Sequence, residues 1–298
     1  MPPILRSLVK NMSTSRLALS QYLEAAIQAA HAGAAILQAY ATHRRNDLVI
    51  DKKALNDLVS QADREAEQAI LQHLREHTPE LGIVAEESGG SHSGLATWYI
   101  DPLDGTTNFL HGIPHYAVSI GLIAHRGSIA CGDTVLTEDT PVLGVVYDPC
   151  REELFTGMYG VGSWLNGHRI QCSTTESLGE ALLATGLPFR DFSFAPEYMP
   201  TLDAAIRESR GVRRMGSAAL DLAWVACGRY DGYWEMGLAP WDVAAGTVLV
   251  REAKGVTEDL RRQASWPANG NLRAGNTHIA AALDELIQPH LHTEAASV

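Results

Sequence analysis

The chain has 298 residues, is 46% hydrophobic and carries a formal net charge of −12 at pH 7. That is enough apolar material to bury a large core, as one big domain or two closely joined halves. The acidic balance argues against a nucleic-acid surface, which needs a basic face, so no direct nucleic-acid binding is expected.

Residues 1–16 hold no continuous hydrophobic stretch of signal-peptide length, and no later run reaches a membrane span, so secretion and membrane insertion are both unexpected. This first segment reads as a disordered tail or a mistaken start, and residues 291–298 as a second tail. Leu19, Leu23, Ile27, Ala30, Ala34 and Leu37 recur at helical spacing and predict a core-lining helix over 17–40. Ser60 and Asp63 form a capping-box pattern that opens a second helix through Ala66, Ile70, Leu71 and Leu74, closed by Thr78-Pro79. Trp98-Tyr99-Ile100 reads as a short strand stopped by Pro102, and Gly105 permits a tight turn after it. The runs 118–123 and 142–147 predict antiparallel strands, with 127–141 as an exposed loop.

The second half alternates a strand near 181–185 with helices over 197–209, 217–227 and 243–253. This alternation places the chain in the α/β (α+β) class. A modest boundary near Ser177 divides it into an N-terminal half, 17–176, and a C-terminal half, 177–290. The cysteines Cys131, Cys150, Cys172 and Cys227 show no Cys-x-x-Cys pair and read as reduced, partly buried thiols of a cytoplasmic protein. Arg207, Arg210, Arg213 and Arg214 form a basic cluster that fits a solvated helix end, a dimer contact or a partner patch.

The densest chemistry lies in Asp101-Pro-Leu103-Asp104-Gly105-Thr106-Thr107-Asn108-Phe109. Two carboxylates three residues apart, a glycine and two hydroxyls follow an apolar segment, a pattern suited to a divalent cation beside a phosphate. The same residues also fit a capped turn. Asp242, ahead of an apolar helical run, likewise fits an N-cap.

Together with Gly82-Ile-Val-Ala-Glu86-Glu87-Ser88 and Trp241-Asp242-Val-Ala-Ala-Gly246, this motif resembles the inositol monophosphatase family of lithium-sensitive, Mg-dependent phosphatases, of the bacterial inositol-1-monophosphatase type. The resemblance runs from about residue 17 to about residue 282. It implies a layered αβαβα sandwich and hydrolysis of inositol monophosphates by a metal-activated water. It also implies about two to three Mg²⁺ ions, with Mn²⁺ able to substitute. Glu86, Asp101 and the Leu103 carbonyl would hold the metal that activates water, and Asp101, Asp104 and Asp242 a second one near the leaving oxygen. Thr106 would orient the water, with Glu86 and Asp104 as the other catalytic groups, while amides of Gly105 and Thr106 bind phosphate.

Glu235, Ser217, Ala218 and Asp242 would contact the alcohol part of the substrate. Glu87, Asp63 and Lys52 match a weaker metal region reached through water. Thr107-Asn108 is typical of the inositol branch, where nucleotide-bisphosphate phosphatases more often carry a Lys, and histidinol phosphate stays open as another substrate. His111 and His115 are expected in a loop near the mouth and not as ligands, since hard cations favour oxygen. The family resemblance further implies a homodimer. It also raises a regulatory alternative, action on RNA polymerase and ribosomal RNA antitermination.

Overall fold

The computed structural model describes residues 16–42, 50–54, 57–188 and 191–291. The first helix, α1 (Leu19–Thr42), buries Tyr22, Ala26, Ala30, Ala34 and Leu37 along one face, as the helical spacing requires. The hairpin β1 (Ile50–Ala54) and β2 (Asp57–Ser60) leads into α2 (Gln61–His77). The expected capping box is present: Ser60 N donates to Asp63 Oδ2 at 2.9 Å, and Ala62 N to Ser60 Oγ at 3.2 Å. The two helices cross closely at Gly33, where a Cβ would stand 2.7 Å from Ile70 Cδ1.

Both helices cover one face of an eight-stranded sheet of order β10-β9-β8-β7-β6-β5-β3-β4. Its strands are β3 (Gly82–Ala85), β4 (Gly89–Ser91), β5 (Ala96–Asp104), β6 (Ala117–Ala124), β7 (Thr140–Asp148), β8 (Glu153–Met158), β9 (Gly162–Leu165) and β10 (His168–Arg169). All neighbours pair antiparallel except β3 with β5. The short helix α3 (Thr106–His111) follows β5 directly.

The second sheet has the order β12-β11-β13-β15-β14. Its strands are β11 (Leu182–Thr185), β12 (Gly211–Arg213), β13 (Gly232–Glu235), β14 (Val256–Asp259) and β15 (Leu272–Gly275). Between the sheets lie α5 (Ala218–Ala226) and α6 (Pro240–Glu252), while α4 (Ala195–Glu208) and α7 (Thr277–Ile287) cover the far side of the second sheet. Three apolar clusters fill the gaps between these five layers, so the order is helix, sheet, helix, sheet, helix, the expected αβαβα sandwich.

A tight seam joins α6 to the first sheet. At Gly121 a Cβ would stand 2.7 Å from Ala245 N, and at Gly144 2.3 Å from Ala245 O, so small residues let the helix lie on the sheet. Several expectations shift. Pro102 does not stop β5: Asp101 pairs with Ser119 and Asp104 with Ala117, leaving Pro102 and Leu103 in a bulge, where a missing N–H costs no ladder bond. Helix α6 starts three residues earlier than expected, because Pro240 suits a first helical turn.

All four cysteines are free, with Cys131 and Cys150 exposed where burial was expected. In the 127–141 loop, Ile129 bridges Val135 and Arg16. The segments 1–16 and 291–298 were expected to be tails; apart from Arg16 and Leu291 they lie outside the described residues. Among the described residues no helix is long and apolar enough to cross a membrane.

Candidate active site

A cavity of about 360 Å³ opens where the end of β5 meets the first turns of α5 and α6. Glu86, Asp101, Leu103, Asp104, Gly105, Thr106, Ser217, Ala218, Glu235 and Asp242 all line it, so most of the candidates named from sequence converge on one point. The β5 bulge turns Asp101 and Asp104 to the same space. Glu86 arrives from the end of β3, where its N–H donates to Ile100 O at 3.1 Å. Gly105 holds φ at 95°, a left-handed conformation that favours glycine, and this turn sets α3 at the edge of the cavity. The first amides of a helix have no partner within the helix, which suits an anion.

The carboxylates crowd one another. Asp101 is 2% exposed. Its pKa is raised well above the ordinary range by burial first, then by Glu86, Asp104 and Asp242. Asp104 is pushed up to about 6 by removal from water, although hydrogen bonds from Ser217 and Ala219 pull the other way. Ser217 Oγ donates to Asp104 Oδ2 at 2.6 Å and Ala219 N to the same oxygen at 2.7 Å, so the first turn of α5 clamps this carboxylate. Asp101 Oδ1 accepts from Leu103 N at 2.9 Å.

Asp242 is the third residue of α6 and not its N-cap. Ala239 holds the cap position and donates its N–H to Asp242 Oδ2 at 2.7 Å. Among the described residues no three His, Cys, Asp or Glu side chains form a ready-made metal group. The chemistry of the donor set nevertheless fits a hard divalent cation. Four carboxylates and the Leu103 carbonyl supply oxygen alone, and a cation would offset the burial that raises the pKa of Asp101 and Asp104.

Thr106 Oγ1 donates within reach of two acceptors, Asp63 Oδ1 at 3.2 Å and Leu103 O at 3.1 Å. Asp63 is itself buried at the start of α2, and burial raises its pKa against the hydrogen bonds from Ser60. Asp63 therefore touches the site through Thr106 without lining the cavity. Glu87 does not line it either; its N–H donates to Glu67 Oε2 at 2.7 Å. Lys52 pairs in register with Leu58 across the β1–β2 hairpin, and its side chain lies outside the described structure.

On the far wall Tyr233, fully buried in β13, donates its hydroxyl to Glu235 Oε2. Burial pushes Glu235 up to about 7, opposed by Tyr233 and Arg214. Sequence reasoning missed Arg214, Asp221, Asn108 and Gly186 as residues of this cavity. Arg214 was noticed in a basic cluster, two residues before Gly216, and that adjacency was the available signal. Asn108 Nδ2 donates to His115 O and Met215 O, each at 2.8 Å, tying the α3 loop to the turn before α5. His111 is exposed at the end of α3, but His115 is buried, against the expectation of a place near the mouth. It packs edge-on to Trp224 at 5.4 Å, and burial lowers its pKa to about 4.

The inositol monophosphatase family profile matches residues 18–296. The chain is 42% identical over 276 residues to a protein of Pseudomonas aeruginosa named Nus factor SuhB, covering 90% of this chain and 96% of that one. It is also 42% identical over 244 residues to an inositol-1-monophosphatase of Rhizobium meliloti, covering 81% and 87%. Among solved structures, the extragenic suppressor protein suhB of Bartonella henselae superposes with a TM-score of 0.79 at 38% identity, over 90% of this chain and 98% of that one. The inositol monophosphatase of Anabaena does so with a TM-score of 0.76 at 37% identity, over 92% and 97%. A match of this extent makes the chain a member of the inositol monophosphatase family.

Proposed function

We propose that the protein hydrolyses a small phosphomonoester, inositol monophosphate first among them, to alcohol and phosphate with the help of Mg²⁺. The observation that carries this reading is the convergence of Glu86, Asp101, Asp104 and Asp242 with Thr106 and Glu235 on one cavity. Glu86, Asp101 and the Leu103 carbonyl on one side, and Asp101, Asp104 and Asp242 on the other, would hold the cations. When bound, the cations supply charge neutralisation of the phosphate dianion and a lowered pKa for a coordinated water. Thr106 orients the attacking water through its hydroxyl, itself fixed by Asp63 and Leu103. The α3 amides at Gly105 and Thr106 face the phosphate oxygens, and Glu235 accepts a hydrogen bond from a hydroxyl of the alcohol part.

The test is phosphate release from inositol 1-phosphate, histidinol phosphate and fructose 1,6-bisphosphate, with Mg²⁺, with Mn²⁺, with chelator and with Li⁺. Mg²⁺-dependent release that favours inositol 1-phosphate and falls with Li⁺ supports the reading. Another favoured ester changes the substrate but keeps the chemistry, and activity that survives chelation overturns the metal role.

The name Nus factor carried by a relative 42% identical to this chain supports a second, compatible reading, a role with the transcription machinery. Affinity capture of RNA polymerase by the full chain and by an Asp104→Asn variant tests it. Capture by neither overturns it, and equal capture by both separates it from catalysis. A cytoplasmic place and a homodimer belong to the same proposal, the dimer being testable by sedimentation.

A further inference from the structure

Glu235 stands in the cavity because of a vacancy opposite it. In the parallel register of β11 with β13, Thr185 faces Trp234, so the next residue, Gly186, comes beside Glu235. A Cβ on Gly186 would lie 1.9 and 2.2 Å from the two carboxylate oxygens and 2.0 Å from their carbon. Gly186 is not among the residues with positive φ, so its backbone conformation is open to any side chain and space alone excludes one. Nor can the backbone easily retreat. Thr185 Oγ1 lies 3.2 Å from Gly186 O, 2.7 Å from Trp234 O and 2.6 Å from the Tyr198 hydroxyl, all in buried surroundings. On its other side the Glu235 carboxylate receives the Tyr233 hydroxyl.

We propose that Gly186 and Tyr233 are positioning residues that fix the Glu235 carboxylate as the reader of a hydroxyl on a polyol phosphomonoester, and so set the selectivity of the site. This inference rests on the phosphatase reading given above. Because the obstructing atoms in Gly186→Ala are the far end of a flexible side chain, the substitution displaces Glu235 and leaves the fold standing. Shortening the acid by one methylene in Glu235→Asp makes room for the new methyl, so the two changes compensate one another.

The experiment compares kcat and KM on inositol 1-phosphate and on phenyl phosphate, which offers no hydroxyl to read, for the full chain and for Gly186→Ala, Tyr233→Phe, Glu235→Asp and the Gly186→Ala/Glu235→Asp pair, with thermal melts as a fold control. Loss of a hydrogen bond to a charged group predicts a fall of about 10- to 100-fold in the kcat/KM ratio of the two esters for Gly186→Ala, carried mainly by KM for the inositol ester. Tyr233→Phe moves the ratio in the same direction. The double variant is expected to exceed Gly186→Ala in selectivity, which a general loss of stability cannot produce. An unchanged ratio in Gly186→Ala, or losses that simply add in the double variant, overturns the inference. Wild-type protein that cleaves phenyl phosphate without preferring the inositol ester overturns it while the phosphatase reading stands. Wild-type protein that cleaves neither of these, nor histidinol phosphate or fructose 1,6-bisphosphate, overturns the phosphatase reading, and the inference falls with it; cleavage of one of the latter two alone overturns the inference only.

Discussion

Thr106 and Asp63, far apart in the chain, meet with the threonine hydroxyl 3.2 Å from the Asp63 carboxylate. Asp63 thus has two tasks, since its second oxygen accepts the Ser60 N–H at the start of α2. Asp63→Asn should keep most of the helix cap and lose turnover by about 100-fold, as expected when a group that orients a nucleophile is misplaced. Asp63→Ala should also lower stability by about 1 kcal/mol, the usual worth of a lost cap. Steady-state rates and urea melts on both variants separate the tasks; an Asp63→Asn protein with full turnover would show that Thr106 does not depend on this contact.

Asp104→Asn and Asp242→Asn each remove a negative charge from the cavity with little change in volume. Turnover should fall at least about 100-fold in each, the scale seen when a preorganised electrostatic group is deleted. The fold should persist, as judged by circular dichroism. Retained Mg²⁺-dependent activity in either variant would sink the assignment of that residue as a cation ligand.

The raised carboxyl pKa values predict how the metal-free protein responds to pH. Glu235 at about 7 and Asp104 at about 6 hold protons in the folded state that an unfolded chain, with carboxyls near 4, has released. Their contribution to stability is complete below about pH 4 and is lost as pH rises toward 7. In the presence of chelator the melting temperature should therefore rise on acidification from pH 8 to pH 5. Mg²⁺ should raise it more at pH 8 than at pH 5, since cations bind the ionised cluster. Calorimetry under these conditions checks the sign, and a Mg²⁺ gain independent of pH would contradict the crowding of Asp101, Asp104 and Asp242.

Gly144→Ala places a methyl against the Ala245 carbonyl, with a Cβ only 2.3 Å from that oxygen. Overpacking of this kind should cost about 1–3 kcal/mol. Denaturant titration measures it, and a neutral result would mean that α6 can lift from the sheet.

The helices and most strands were legible because their apolar residues recur with the periods of those elements, as α1 and α2 show. The start of α6 was misjudged because Pro240 and Trp241 belong to no apolar repeat, yet the proline suits a first turn. Pro102 misled for a related reason: its missing N–H breaks a ladder only where a ladder bond is due, and the bulge at Pro102 and Leu103 removes that demand. In the cavity, Glu86, Asp101, Asp104 and Asp242 were found through motifs that sit in continuous stretches of chain. Gly186 and Asp221 were not, because their places depend on the pairing of β11 with β13 and on the packing of α5, which no local pattern announces.

The close seating of α6 on β6 and β7 has a consequence for how activity is lost on heating. The helix whose first turn delivers Asp242 is held by close backbone contacts, Gly121 and Gly144 against Ala244 and Ala245. Local fraying near the mouth can therefore leave the acidic cluster assembled, whereas any opening large enough to carry Asp242 away must also part the layers. Thermal inactivation and the melting of the sheets should then be one event, seen at the same temperature by enzyme assay and by far-ultraviolet dichroism.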